Sequence, residues 1–426
     1  MRELSVYLEI KGAQKFIGTL RGSGPEDTVF TYDESYMSSP IAKPVSISLP
    51  LQAAPFSPTE TGNFFDGLLP EGFTRRTVSQ WVRADEGDYP AILAHLGNEC
   101  LGAIRIVEDG SPEPSPSYEP LGLDRIRALA QEGATQSAQL VAEAHLSLTG
   151  ASGKVGLYHD GSSGHWYLPL GSAPSNCIVK QSHVRYDAIV TNEKLCLLTA
   201  SKLGIAVPHS FIIDTGDSGE GDVLFATERY DRKEYSDDTI SGLKRPLRFH
   251  QEDFCQALGV PPVSKYERSG DSYLPMMTDL LRHHSTDPID DITGFWDMVV
   301  FNWLIGNTDA HLKNYSLLYS DDLSSVRLAP AYDMVSTVIY EGTSRNMSFN
   351  IGGEYAVEKV SRDNWLQAAS QAGIGRGLAI DRLDRLAETL RPALLEASEE
   401  LCSLGFSKAK NIAENILLKG GISKTF

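Results

Sequence analysis

Several protein classes require features that this chain has little of. No apolar run in its 426 residues approaches the ~18 that a membrane span needs. The opening MRELSVYLEI has neither the basic start nor the apolar middle of a secretory signal, so a cytoplasmic protein is expected. Its five cysteines, Cys100, Cys177, Cys196, Cys255 and Cys402, are odd in number, widely spaced and without a C-x-x-C pair. That pattern indicates neither a disulfide framework nor a zinc site and leaves them as small core residues. Basic side chains are outnumbered 38 to 56, giving a net charge of -18 that opposes phosphate backbones at long range. Direct nucleic-acid binding is therefore not expected, whereas a basic partner would be attracted.

The length exceeds one ordinary core and points to two or three units. The first part, 1–107, reads as short strands with one or two helices, among them ELSVYLEI, QKFIGTL and VSISLPL, whose Val45, Ile47, Leu49 and Leu51 alternate at strand period. EDGSPEPSPSYEP, 108–120, carries four prolines in thirteen positions and is expected to be a linker. From 121 to 233 strands and one helix alternate: LYHDGSSGHWYLPL as a hairpin, SNCIVKQS as a strand ending at Lys180, NEKLCLLTASKLGI as a helix stopped by Gly204. HSFIIDT and VLFATERYD add two strands, and 234–426 is mainly helical. A β-rich lobe followed by an α-rich lobe makes the class α+β, with a cleft expected between the lobes.

One stretch stands apart. In WLIGNTDAHLKNYSLL, 303–318, a run that reads as a buried helix stops at Gly306 and is followed within eight residues by Asn307, Asp309, His311, Lys313 and Asn314. YSLLYS and VRLAPAYD, separated by DDLSS, should form an antiparallel hairpin. A turn centred near 323–324 sets Asn314 opposite Asp333, with their β-carbons about 5 Å apart. An amide oxygen and a carboxylate oxygen converging in this way suit Mg²⁺ held with phosphate oxygens. The D-x-x-x-x-N spacing, then a hairpin, then a second Asp is how protein kinases arrange a catalytic base and two metal ligands. The competing structural role for Asn307, Asp309 and Asp333 is capping of turns and of the element starting at Met334.

A kinase also needs a cation on the nucleotide phosphates. Lys180 ends a short apolar strand in the β-rich lobe, and Glu193 on the following helix could pair with it. SLTGASGKVGL, 147–157, could cradle phosphates through backbone N–H groups or be a plain flexible turn. It is not a Walker A loop, because Leu148 and Val155 stand where that motif requires Gly and Ser or Thr.

Taken together, VSISLPL, NFFDGLLPEGFTRR (63–76), LGNECLGAI, SLTGASGK, NEKLCLLTASKLGIAVP, ERYDR (228–232), HQEDFCQALGVPPVSKYE (250–267), WLIGNTDAHLKNYSLL and LAPAYDMVS resemble the HipA-type serine/threonine kinases, toxins of bacterial toxin-antitoxin modules, over nearly the whole chain. The resemblance implies a two-lobed protein-kinase-like fold preceded by a small α/β N-terminal domain. It implies Asp309 as catalytic base, Asn314 and Asp333 as Mg²⁺ ligands, and ATP contacts from Lys180, from Ala151, Ser152, Gly153 and Lys154 in the phosphate loop, and from His311, Lys313, Asn314, Tyr332 and Asp333. Glu228, Arg229 and Tyr230 would form the interlobe hinge, whose backbone groups meet the adenine. Ser147 matches the family's self-phosphorylated serine, with Ser152 as the neighbouring choice; a phosphate there would repel the nucleotide phosphates.

The same resemblance implies a helix-turn-helix antitoxin dimer, HipB-like, as partner, DNA contact only through it, and glutamyl-tRNA synthetase as protein substrate. Ser152 and Gly153 stand where the best-known member has Gln-Glu, and Ala310 where it has Gly, which bears on loop geometry and not on the chemistry. Two rival functions fit the same residues: a small-molecule phosphotransferase, which shares the D-x-x-x-x-N pattern, and a pseudokinase acting as a binding subunit. A domain of about 110 residues ahead of the lobes favours the HipA-like arrangement over the first, and the presence of every expected site residue argues against the second.

Overall fold

The computed structural model describes residues 1–110, 115–132, 134–143, 153–181, 186–215, 223–234, 237–268 and 270–424. Leu4, Val6, Leu8 and Ile10 alternate along the strand Arg2–Ile10 and bury one face of it. The strand belongs to an antiparallel sheet ordered Val29–Tyr32, Ala13–Gly22, Arg2–Ile10, Ile104–Glu108. Helices Pro58–Phe65 and Tyr89–Leu96 close over the same core with Phe64, Phe65, Ile92 and Leu93.

VSISLPL does not extend that sheet. Val45 and Leu49 are buried as the alternation requires, yet among the described residues the segment's only pairing is an isolated bridge between Ser46 and Leu49. The cause is tertiary: Ser46 Oγ and the Ile47 amide donate to the Glu252 carboxylate at 2.5 and 3.1 Å, which curls the segment around that group.

A second antiparallel sheet runs Ser117–Leu121, His165–Leu170, Lys154–Asp160, Cys177–Gln181, Val223–Glu228, Ser210–Asp214, backed by the helix Ile189–Lys202. Its first strand lies at the end of the stretch expected to be a linker. Pro120 is tolerated there because the strand is at the sheet edge, where a missing N–H costs no internal ladder bond.

The rest is helical: Tyr273–His284, Pro288–Ile305, Arg362–Gln371, Arg376–Ser403 and Lys408–Lys419 pack around Trp296, Trp303 and Trp365. A small sheet, Gln251–Asp253, Ser316–Tyr319 and Val326–Leu328, joins the helices to the cleft. Within it the expected hairpin forms with a different register. Leu317 faces Leu328 and Tyr319 faces Val326, so the turn is centred one residue earlier, and both strands end before Asn314 and Asp333 are reached. Those two residues reach the wall of one cleft through loops and not through cross-strand pairing. Among the described residues no helix is long and apolar enough to cross a membrane.

The first domain is tied to the rest by buried charge. Glu99 accepts from Arg229 at 3.0 Å and Arg232 at 2.8 Å, and Arg229 also reaches Asp231 at 2.8 Å. Breaking such a buried set by removing one partner typically costs about 3–5 kcal/mol. Glu252, bonded to Ser46, Ile47 and Tyr319, is different: among the described residues no cation pairs with it, and burial pushes its carboxyl up to about 7. A carboxyl with a raised folded-state value contributes stability below its ordinary value near 4.5 and loses that contribution as pH climbs through about 7. The unfolding free energy of the wild type in urea titrations should therefore fall relative to that of Glu252→Gln by about 2 kcal/mol between pH 5 and pH 8. Parallel pH profiles would show that Glu252 is not the titrating group.

Candidate active site

The helix Pro288–Ile305 is buried nearly all round and stops because Gly306 takes the left-handed conformation, φ +72°. A β-carbon there would lie 2.3 Å from Val338 Cγ2, so only glycine fits. The chain then turns sharply. Asn307 Nδ2 donates to Asn302 Oδ1 at 2.9 Å and to the Asp333 carbonyl at 3.3 Å, while its Oδ1 accepts from the Asp309 amide at 3.2 Å. Asn307 thus ties the loop after the helix to the segment carrying Asp333. Asp333 itself has φ +55°, strained for a residue with a side chain, and no helix follows it, so it caps nothing.

Across the cleft, Lys154 and Lys180 stand directly opposite on adjacent strands, so their side chains share one face. The Lys180 ammonium lies 2.6 Å from Glu193 Oε1 and donates also to Asp333 Oδ1. This bridges the β-rich lobe to the helical lobe. Burial pushes the Asp333 carboxyl up, but Lys180 and Lys154 outweigh it and hold the group well below the carboxylate range. Burial likewise lowers Lys180, and Asp333 and Glu193 more than compensate, keeping it charged. Glu193 is lifted above its ordinary value by burial, against the pull of Lys180. For this coupled set the assignment that fits the geometry is an ammonium shared mainly with Asp333.

A cleft of about 1120 Å³ brings together Lys154, Lys180, Glu193, Asp309, His311, Asn314 and Asp333, with Gly153, Lys313 and Tyr332 also on its wall. Asp309 accepts a hydrogen bond from the Tyr266 phenol at 2.5 Å; burial raises its carboxyl, and the phenol pulls it back. Asn314 Nδ2 donates to the Asp309 carbonyl at 3.4 Å. His311 is held neutral, near 3, by burial, and its Nδ1 has no hydrogen-bond partner among the described residues. A smaller cavity of about 80 Å³, walled by Ile178, Leu197, Phe225, Thr227 and Tyr230, adjoins the first between the lobes.

Other expected residues sit less directly. Arg229 turns its side chain into the Glu99–Asp231 cluster, and the amides of Glu228 and Arg229 are spent on the carbonyls of His209 and Asn176 at 2.9 and 2.8 Å. Those two N–H groups are already paired within the protein, yet Glu228, Arg229 and Tyr230 all lie on the wall of the smaller cavity. The Lys313 ammonium is directed at protein groups: Gly67 O at 3.0 Å, Glu71 at 3.2 Å and Asp253 at 3.6 Å. Tyr230 stacks on Tyr332 and donates to Gln251. Ser147, Ala151 and Ser152 lie outside the described residues.

Three residues at the site were not singled out in the sequence: Glu71, Lys265 and Tyr266. Glu71 opens the helix Gly72–Val82, where an acid ordinarily reads as serving the helix start. Its side chain makes no capping bond and reaches Lys265 at 2.6 Å and Lys313 at 3.2 Å. Burial raises its carboxyl, but Lys313 and Lys265 outweigh that and hold it near 2, so the group is charged.

A β-rich lobe presenting lysines across a cleft to an α-helical lobe with a D-x-x-x-x-N loop and a second Asp is a kinase-like fold. Two family models cover the chain: the HipA N-terminal domain matches residues 8–107 and the HipA-like C-terminal domain residues 146–394. Y4mE of Sinorhizobium fredii, named as a candidate kinase, is 32% identical over 403 residues, 93% of each chain. The serine/threonine-protein kinase toxin HipA of Shewanella oneidensis is 26% identical over 96% of this chain and 93% of its own. The solved HipA from the Shewanella oneidensis toxin-antitoxin complex with HipB and operator DNA superposes with a TM-score of 0.77 at 23% identity, over 98% of this chain and 97% of that one, and so shares the fold. The chain belongs to the HipA family.

Gly306 is the hinge on which the site is built, so Gly306→Ala should be costly. It adds a clash with Val338 to a disfavoured backbone, and a loss of about 2–4 kcal/mol in urea unfolding is expected. A loss under about 0.5 kcal/mol, within the range of ordinary surface changes, would mean that the turn relaxes freely.

Proposed function

We propose that the chain is a cytoplasmic, ATP-dependent serine/threonine protein kinase and the toxin of a HipBA-like module. The observation that supports this most is the convergence of Lys180, Asp309, Asn314 and Asp333, from two lobes, on one cleft. The cavity beside Phe225, Leu197 and Tyr230 is apolar enough for an adenine, with the triphosphate running toward Lys154 and Lys180.

In this reading the two lysines neutralise charge on the phosphates, and most of the rate comes from positioning and electrostatics. Asp309 takes the proton of the acceptor hydroxyl as its oxygen bonds to the γ-phosphorus and the bond from that phosphorus to the β,γ-bridging oxygen breaks, ADP leaving with the electron pair; Tyr266, now on that carboxylate, gives way to the acceptor. Asn314 and Asp333 offer hard oxygen donors, and among the described residues no group of three or more His, Cys, Asp or Glu forms a metal cage. That donor set fits Mg²⁺ completed by phosphate oxygens, with Asn314 and Asp333 holding it. When bound, Mg²⁺ would supply charge neutralisation of the phosphate oxygens.

The acceptor is a serine or threonine of a protein, with glutamyl-tRNA synthetase as the target that family membership suggests, and the chain labels itself at Ser147 or Ser152. The HipA relative solved with HipB and operator DNA supports a small DNA-binding antitoxin as partner. An excess of negative charge suits contact with DNA through such an adapter and not directly.

Purified protein incubated with radiolabelled Mg-ATP should incorporate phosphate, and Asp309→Asn should lower transfer by about 10²–10⁴-fold. Calorimetry should find Mg-ATP affinity within a few-fold of wild type in that variant but weakened at least about tenfold in Lys180→Met. Nucleotide binding without any transfer in the wild type would instead favour a pseudokinase. Phosphoproteomics after induced expression would name the acceptor.

A further inference from the structure

The motif NFFDGLLPEGFTRR lies in the N-terminal domain and has no part in the nucleotide chemistry described above, yet its LLPEG turn is seated on the catalytic loop. Gly67 supplies its carbonyl to the Lys313 ammonium at 3.0 Å. Glu71 then spans two cations: Oε2 is 2.6 Å from Lys265 and Oε1 is 3.2 Å from Lys313. The two lysines belong to the two segments that meet at Asp309. Lys313 belongs to the turn Leu312–Asn314 that follows it, and Lys265 precedes Tyr266, whose phenol bonds the Asp309 carboxylate. A backbone bond from the Leu312 amide to the Lys265 carbonyl, 3.2 Å, closes the ring.

Charge balance gives Glu71 its importance. The Lys313 side chain is 3% exposed and the Lys265 side chain 13%. Besides Glu71, the carboxylate paired with Lys313 is Asp253, at 3.6 Å. With Glu71 neutral, the two poorly solvated ammonium groups would lose the carboxylate they share, Asp253 remaining on Lys313 alone, and separation of the two segments would relieve the repulsion.

We infer that Glu71 is a positioning residue for phosphoryl transfer, supplied by the N-terminal domain. It touches no reacting atom; it holds the Asp309–Asn314 loop against the Lys265–Tyr266 segment, so that base and acceptor keep their alignment. This rests on the kinase reading of the cleft. Misplacement of a reacting group by about 1 Å costs on the order of 10²-fold in rate.

In the full chain, Glu71→Gln should lower kcat for labelled self-transfer from Mg-ATP by about 10–100-fold and leave the KM for ATP within about twofold. Amide hydrogen exchange should quicken at residues 307–315 and not in the six-stranded sheet. Lys265→Met, which opens the same bridge from the other side, should reproduce the kcat loss with faster exchange around Tyr266. An unchanged kcat, or a change confined to KM, overturns the inference. So does unaltered exchange at 307–315, a readout that decides the matter even if wild type transfers no phosphate and the kinase reading itself fails.

Discussion

Everything in the cleft is organised around one ammonium group. Lys180 sits 2.6 Å from Glu193 and also donates to Asp333, and none of the three could be buried alone. Two carboxylates this close would otherwise share a proton; the lysine lets Asp333 stay ionised and points it into the space between the lobes. The triad has a strand, a helix and a loop as its three supports, so it also sets the distance between lobes. Asp333 keeps a backbone conformation that costs of order 1–3 kcal/mol because Asn307 holds its carbonyl while Lys180 holds its carboxylate. Lys154, facing Lys180 across the strands, leaves the wall cationic enough to receive a polyanion.

The N-terminal domain is part of this machinery more than an attachment to it. Glu99 clamps the arginines that follow the last sheet strand, Ser46 and Ile47 wrap Glu252 behind the small sheet, and Glu71 reaches the catalytic loop. Each contact is a carboxylate taken out of water with its partners already in place, so each depends on geometry and little on salt. One domain therefore touches both the hinge between the lobes and the loop that carries the base.

How much of this was legible in the sequence depended on how local the cause was. The helix ending at Gly306, the D-x-x-x-x-N spacing, the hairpin at 157–170 and the Lys180–Glu193 pairing follow from periodicity and turn chemistry within a few dozen residues. VSISLPL has a strand's alternation, but a distant carboxylate claimed its polar groups. The Pro-rich stretch hid an edge strand, since prolines exclude only interior positions. The hairpin register came out one residue off because the turn composition does not fix its centre. Glu71 could not be found locally at all: its two lysines are 194 and more residues away, and an acid at a helix start already has an adequate local explanation.

The Tyr266–Asp309 contact connects these levels. A general base must be desolvated enough to take a proton yet ionised while it waits, and burial alone drives a carboxyl toward its protonated form. The phenol resolves the conflict by donating to the carboxylate, which offsets part of the burial effect without introducing a charge. Because one hydroxyl donor is exchanged for another when the acceptor arrives, the net change in hydrogen bonding is small, and the base is released at little energetic cost. Such an exchange works only if Tyr266 returns to the same place, and that place is set through Lys265 by a carboxylate of the N-terminal domain.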